Sequence, residues 1–261
     1  MSIAATAFWL KLFLVPFLIG SVSLAGRRWG PMISGWFIAF PLTSGPIVFF
    51  LALEQGDAFA SRAAQGTMLG LVSVAAFCLV YSLLAVRLAW FQCFLASCLA
   101  FFTSTLMLEF LSLPPILVFP VVICVLTLVS RCLPHGSHPE SPSDFSMWDI
   151  PFRMAAATVL VVLLTESAQL LGPQLSGLLT PFPLFTSVLA VFTHRAQGAD
   201  SVVQLFRGLM TGLFTFAIFF LVIALILESL GLVTSFVIAS LVSISFHGAS
   251  LMFLRRMNDD D

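Results

Sequence analysis

GWFIAFPLTSGPIVFF, residues 35–50, is apolar enough to enter a lipid bilayer, yet Pro41, Gly45 and Pro46 fall in six consecutive positions where a spanning helix should be most regular. Proline lacks a backbone donor and clashes with the carbonyl four residues earlier, so the segment reads as a span built to break. The same FPL core returns 142 residues later as Phe182-Pro183-Leu184. At that offset WGPMISGWFIAFPLTSGPIVFFLALEQG (29–56) lies over LGPQLSGLLTPFPLFTSVLAVFTHRAQG (171–198) without a gap, and the match runs on to Leu71 against Leu213. The shared positions are largely Gly, Pro and Ser: Gly30/Gly172, Pro31/Pro173, Ser34/Ser176, Gly35/Gly177, Pro41/Pro183, Gly56/Gly198, Gly66/Gly208 and Gly70/Gly212. Such residues carry backbone meaning that a shared Leu or Val does not, so the chain reads as an internal duplication.

Composition fixes the class. The 261 residues are 60% hydrophobic and 9% charged, with mean hydropathy +1.10, against about 45–50% and about 25% in soluble domains. The chain is an integral membrane protein by this measure. Its net charge of −1 offers no basic surface for nucleic acid. The five cysteines lie in or beside apolar runs with no CxxC, so they read as small buried hydrophobes. The N-terminal MSIAATAFWLKLFLVPFLIG has no basic region before its apolar stretch and reads as an uncleaved first span. The polar stretch from Arg131 to Asp149 is a Pro/Ser/His-rich linker too short to bury a core.

A spanning helix needs about 20 apolar residues. On that scale the sequence predicts an all-α polytopic protein of about nine spans, near 5–24, 32–53, 63–86, 88–108, 114–130, 152–171, 174–194, 205–227 and 230–254. The offset groups them as one four-span unit (1–110), a linking span and loop (111–150) and a second four-span unit (151–261). Four crossings followed by one more make the second unit enter from the opposite side, which predicts two inverted-topology repeats. Nine arginines (27, 28, 87, 131, 153, 195, 207, 255 and 256) then fall on one face and only Lys11 and Arg62 on the other. An excess of short-loop Lys and Arg marks the cytoplasmic side, so the N-terminus is expected outside and the C-terminus in the cytoplasm.

Paired interruptions in two halves point to a midplane site. The expected solute-binding residues are therefore Pro41, Thr43, Ser44, Gly45, Pro181, Pro183, Thr186 and Ser187, whose hydroxyls and freed carbonyls can hold a small solute. Packing alone also explains single proline kinks; the pairing favours a site. Ionisable groups inside spans are functional candidates by default, which singles out Glu166 and His247 for coupling to protons. A lone buried His is also a common packing residue. Gly66-x-x-x-Gly70 and Gly208-x-x-x-Gly212 read as helix-contact faces, as do Ser34-Gly35 and Ser176-Gly177. Lys11 and Arg153 read as snorkelling side chains near span ends. His135 and His138 lack the partners of a metal site. HExxH, G-x-S-x-G and Walker A are absent, so neither an enzyme, a cofactor nor direct ATP drive is expected.

Residues Ser176, Gly177, Leu178, Pro181, Phe182, Pro183, Phe185, His194, Gly198 and Gly208 resemble the pattern of the GlpM family of small bacterial membrane proteins. The first half departs from it, with Ala39 in the place of Pro181 and Ala52 in the place of His194. The resemblance implies a fused pair of GlpM-type units in the bacterial inner membrane, and the family carries a linkage to exopolysaccharide production. Two functions follow as expectations. One is a secondary transporter of a small solute between the broken second and seventh helices; the alternative is a non-transporting scaffold or assembly partner of an envelope or exopolysaccharide pathway. The oligomeric state is left open by the sequence.

Overall fold

Glycine and proline set the helix boundaries. The computed structural model describes residues 3–41, 44–111, 113–134, 148–159 and 182–259, and every regular element among them is helical. In chain order these are α1 (Ile3–Trp29), α2 (Pro31–Ile38), α3 (Ser44–Gln55), α4 (Asp57–Ala85), α5 (Trp90–Glu109), α6 (Pro115–Cys132), a helical stretch over 149–159 (α7), α8 (Leu184–Leu230) and α9 (Leu232–Asp259). Five of them, α4, α5, α6, α8 and the described part of α9, are long and apolar enough to cross a membrane. The chain is a helical integral membrane protein.

The second predicted span is two helices. α2 stops at Ile38, Ala39 caps it, and α3 begins at Ser44. Pro41 lies in the gap, and its carbonyl accepts the Gly45 N–H at 3.0 Å. Pro183 occupies the equivalent place before α8, where its carbonyl accepts the Ser187 N–H at 2.8 Å. Each proline therefore precedes a new helix instead of kinking a continuous one, a position that needs no backbone donor. The carbonyl four residues before Pro41, that of Phe37, accepts the Phe40 N–H at 3.3 Å, and its counterpart before Pro183, that of Leu179, lies outside the described residues.

The predicted seventh and eighth spans join end to end in α8, a 47-residue element broken at Gly198, with φ 85° and ψ −175°. Gly56 separates α3 from α4 with φ 85° and ψ 165°. Both angles lie in a region essentially reserved for glycine. The two helices that follow the next junctions, α5 and α9, begin at Trp90 and Leu232, again 142 residues apart. Part of the sixth span, with Glu166, and the start of the seventh, with Ser176, Gly177 and Pro181, lie outside the described residues, as do Thr43, His135 and His138.

The core lies between α4 and the second arm of α8. Small and apolar side chains recur at helical spacing along α4 (Ala60, Ala64, Met68, Leu71, Ala75, Cys78) and meet Val202, Phe206, Met210, Leu213, Ala217 and Phe220 of α8. The most apolar windows of α4 and α8 are 61% and 56% buried, against 17% for α5 and 22% for α6 and α9. The outer helices turn Leu99, Met107, Phe110, Ile116, Val233 and Leu241 outward, as lipid-facing surfaces require.

α2 is wedged against α8 by the absence of side chains. A Cβ on Gly35 would sit 1.8 Å from the Leu205 carbonyl oxygen, and one on Gly208 1.8 Å from the Met32 carbonyl oxygen. One turn on, a Cβ on Gly212 would meet the Ala39 Cβ at 2.4 Å. Only glycine permits backbones to approach so closely. Gly66, the counterpart of Gly208, is exposed, and a Cβ there meets nothing within 4 Å.

Candidate functional site

The first helix break is gathered with His247. The imidazole stacks on the Trp36 indole, ring centroids 3.8 Å apart and planes 13° apart, while Phe40 leans on it at 5.2 Å. The Trp36 Nε1–H donates to Ser250 Oγ at 2.9 Å, and the Ser250 hydroxyl donates to the His247 carbonyl at 2.8 Å. These bonds fix the indole over the ring. His247 is only 7% exposed, yet neither of its ring nitrogens has a hydrogen-bond partner among the described residues. Ser243, one turn away on α9, is fully buried with an equally unpartnered hydroxyl. Two adjacent buried polar side chains without partners are unusual, since nearly all such groups are satisfied by protein or water.

Pro41 and Gly45 are buried, Ser44 is half-buried, and the Phe219 ring lies 3.5 Å from where a Gly45 Cβ would be. The second break has different neighbours. Phe182 packs edge-on to Phe101 at 5.5 Å and stacks on Phe102 at 5.7 Å, both on α5. Thr186 and Ser187 are buried, and the Ser187 hydroxyl donates to the Pro183 carbonyl at 2.8 Å. The structure thus brings His247 to the Pro41–Gly45 break and lines the Pro183–Ser187 break with phenylalanines. Thr43, Pro181 and Glu166 lie outside the described residues.

A second polar cluster escaped the sequence reading. Asp149 Oδ2 accepts from Arg153 Nε at 2.9 Å and lies 3.4 Å from a terminal guanidinium nitrogen of Arg27. Arg153 is 4% exposed, with its guanidinium 5.5 Å from the Phe192 ring centre. It does not snorkel to solvent as expected: burial against α8 leaves it dependent on Asp149 for compensation. The i,i+4 spacing of Asp149 and Arg153 was the sequence signal available for this pair. Ser23, Gly26, Pro31, Ser34, Thr193 and Gln197 complete the lining.

This cluster marks one end of the bundle, where the C-terminus of α1, the N-termini of α2 and α7 and the end of the first arm of α8 converge. At the same end, the His194 ring nitrogen Nδ1 is 3.4 Å from the hydroxyl of Tyr81 near the C-terminus of α4. At the far end of α4, the Ser61 hydroxyl donates to the Ala224 carbonyl at 3.1 Å and the Gln65 amide to the Leu113 carbonyl. A comparison with protein families, curated proteins and solved structures finds no match to this chain.

Proposed function

We propose that this chain is a secondary transporter of a small solute in the bacterial inner membrane, built from two inverted four-span units of GlpM-like type. The observation that carries the reading is His247, a buried imidazole without a hydrogen-bond partner among the described residues, set against an interrupted apolar helix. A broken helix between two repeats is the place where transporters expose backbone to a solute. An imidazole nitrogen can take up and release a proton, so the same group suits proton coupling.

The repeat is supported by paired backbone details. Gly56 and Gly198 share a glycine-only conformation, Pro41 and Pro183 each start a helix in the same way, and α5 and α9 begin at equivalent positions. The arginine bias supports a cytoplasmic position for the end that carries Arg27, Arg153 and His194. Solute contacts are assigned to Pro41, Thr43, Ser44 and Gly45 and, in the other unit, to Pro181, Pro183, Thr186 and Ser187, with Glu166 as a second proton-coupling candidate.

The test is uptake by purified protein in liposomes across a panel of small solutes, with imposed proton gradients of either direction. Proton-driven uptake that His247→Gln abolishes while the protein remains folded is the expected result. Absence of any transport, together with intact cellular function after replacing Thr43, Ser44, Thr186 and Ser187 by Ala, overturns the proposal in favour of a scaffold.

A further inference from the structure

The two helix breaks differ at positions that the 142-residue offset makes equivalent. On α5, Phe101 is fully buried and packs against Phe182, while the Thr105 hydroxyl donates to the Ser73 hydroxyl on α4 at 2.9 Å. Both positions are thus satisfied, one by a ring and one by a hydrogen bond. On α9 the same two positions are Ser243 and His247, and Phe40, the equivalent of Phe182, leans on the imidazole. The exchange removes a ring from this helix face. It also leaves three atoms, Ser243 Oγ and both His247 ring nitrogens, buried with no hydrogen-bond partner among the described residues.

A hydroxyl in a helix commonly satisfies itself at the carbonyl four residues earlier. Ser97 on α5, Thr127 and Ser130 on α6 and Ser245 on α9 all do so. Ser243 makes no such bond to Ala239, so its hydroxyl is left to meet a group outside α9. Buried polar atoms without partners are destabilising, and hydrocarbon offers no water to relieve them. The groups set against the His247 ring, Trp36, Phe40 and Gly212, carry no charge, and His247 forms no ion pair among the described residues. An ion placed here would therefore lack a counter-charge, which is costly inside a membrane. A neutral imidazole and a hydroxyl each donate one hydrogen bond and accept another.

We infer that Ser243 and His247 form the polar end of a solute site that takes a small uncharged molecule able both to donate and to accept hydrogen bonds, an alcohol or a carboxamide. Trp36 and Phe40 supply its apolar walls. The inference rests on the reading of the Pro41–Gly45 break as a solute site; it adds Ser243 as a contact residue and fixes the charge class of the solute. The directional contacts fall at this break, because Phe101 stands at the other one where Ser243 stands here.

The test is nitrogen-15 magnetic resonance of the full chain, labelled at histidine, in phosphatidylcholine nanodiscs. The chain has four histidines, and His247→Gln identifies the His247 ring signals by their loss. Acetamide and ethylene glycol are the neutral probes, with acetate and methylammonium as charged counterparts of similar size. A saturable shift of the His247 ring nitrogens with acetamide or ethylene glycol, and none with the ions, is the expected result. Ser243→Ala is expected to weaken that binding about three- to tenfold, the scale of one neutral hydrogen bond. Ser243→Phe, which restores the residue of the other unit, is expected to abolish it. Should Ser243→Phe fail to fold, Ser243→Ala still decides the matter, since the Ser243 hydroxyl bonds to no described residue. Binding of a neutral probe without uptake by liposomes supports this site and overturns only the transporter reading. Uptake that neither Ser243 variant alters overturns this site and leaves the transporter reading standing. The inference also falls if neither neutral probe shifts the His247 nitrogens, which is the result of water alone in the site, or if the charged probes bind as well as the neutral ones.

Discussion

Replacing Gly208 by Ala tests the α2–α8 contact most directly. The new methyl would lie 1.8 Å from the Met32 carbonyl oxygen, 2.7 Å from its carbon and 3.0 Å from its Cα. A carbon approaches a carbonyl oxygen comfortably at about 3.3 Å, so the helices must separate by about 1.5 Å. The obstacle is backbone on a helix pinned by a second contact of the same kind, Gly35 on Leu205, so no rotamer change relieves it. Overpacking of this sort costs about 1–3 kcal/mol, and here the separation also loosens the whole α2 contact, which places the cost near the upper end. Helix propensity returns about 1 kcal/mol for Gly→Ala, leaving a net loss of about 2 kcal/mol. The control is Gly248→Ala on α9, where the position is exposed and the methyl meets nothing within 4 Å. It gains the propensity term alone, so the two variants should differ by about 3 kcal/mol. Reversible unfolding of the purified protein, titrated from mild detergent into SDS and followed by helical circular dichroism, measures the difference. Gly35→Ala should match Gly208→Ala, and the double variant should cost less than the sum, because one separation serves both methyls. If Gly208→Ala proves as stable as Gly248→Ala, the close approach of α2 to α8 is wrong.

Two further outcomes follow from particular residues. Gly56→Ala and Gly198→Ala should each lower stability by about 1–3 kcal/mol in the same unfolding titration, since both force an L residue into a glycine-only conformation at positions with free space around them; a large inequality would count against equivalent junctions. Asp149→Asn should destabilise by about 3 kcal/mol by leaving the Arg153 guanidinium buried without its carboxylate, and Asp149→Asn with Arg153→Met should recover much of that loss.

The helical class and the places where helices stop were legible in the sequence because proline and glycine act locally. Pro41, Gly56, Pro183 and Gly198 all mark boundaries, and their residue types alone announce it. Whether a proline bends a helix or precedes a new one depends on which carbonyl the next N–H finds, and that was settled only by the Gly45 and Ser187 bonds. The His247 neighbourhood was half visible: an ionisable residue in an apolar span stands out, but its stack on Trp36 joins positions more than 200 residues apart through tertiary packing. Arg153 was misjudged for a related reason. Its position near a span end permits snorkelling, and only the docking of α8 beside it takes that route away.

α2 connects the two polar sites. It is eight residues long, bounded by Gly30 at φ 90° before it and by the Ala39–Pro41 break after it, so both of its ends lie at interruptions of the helical chain. Ser34 faces the arginine cluster, Gly35 lies on α8, and Trp36 holds His247, three consecutive residues turned to three different neighbours. Successive residues on a helix are about 100° apart, which is why one short segment can serve all three. Any rigid displacement of α2 therefore carries Ser34 and Trp36 together and must slide the Gly35–Leu205 and Gly208–Met32 contacts. Those contacts have no side chain between the backbones to yield, so α2 shifts between discrete packings if it shifts at all, and the arginine cluster and His247 sense the same step.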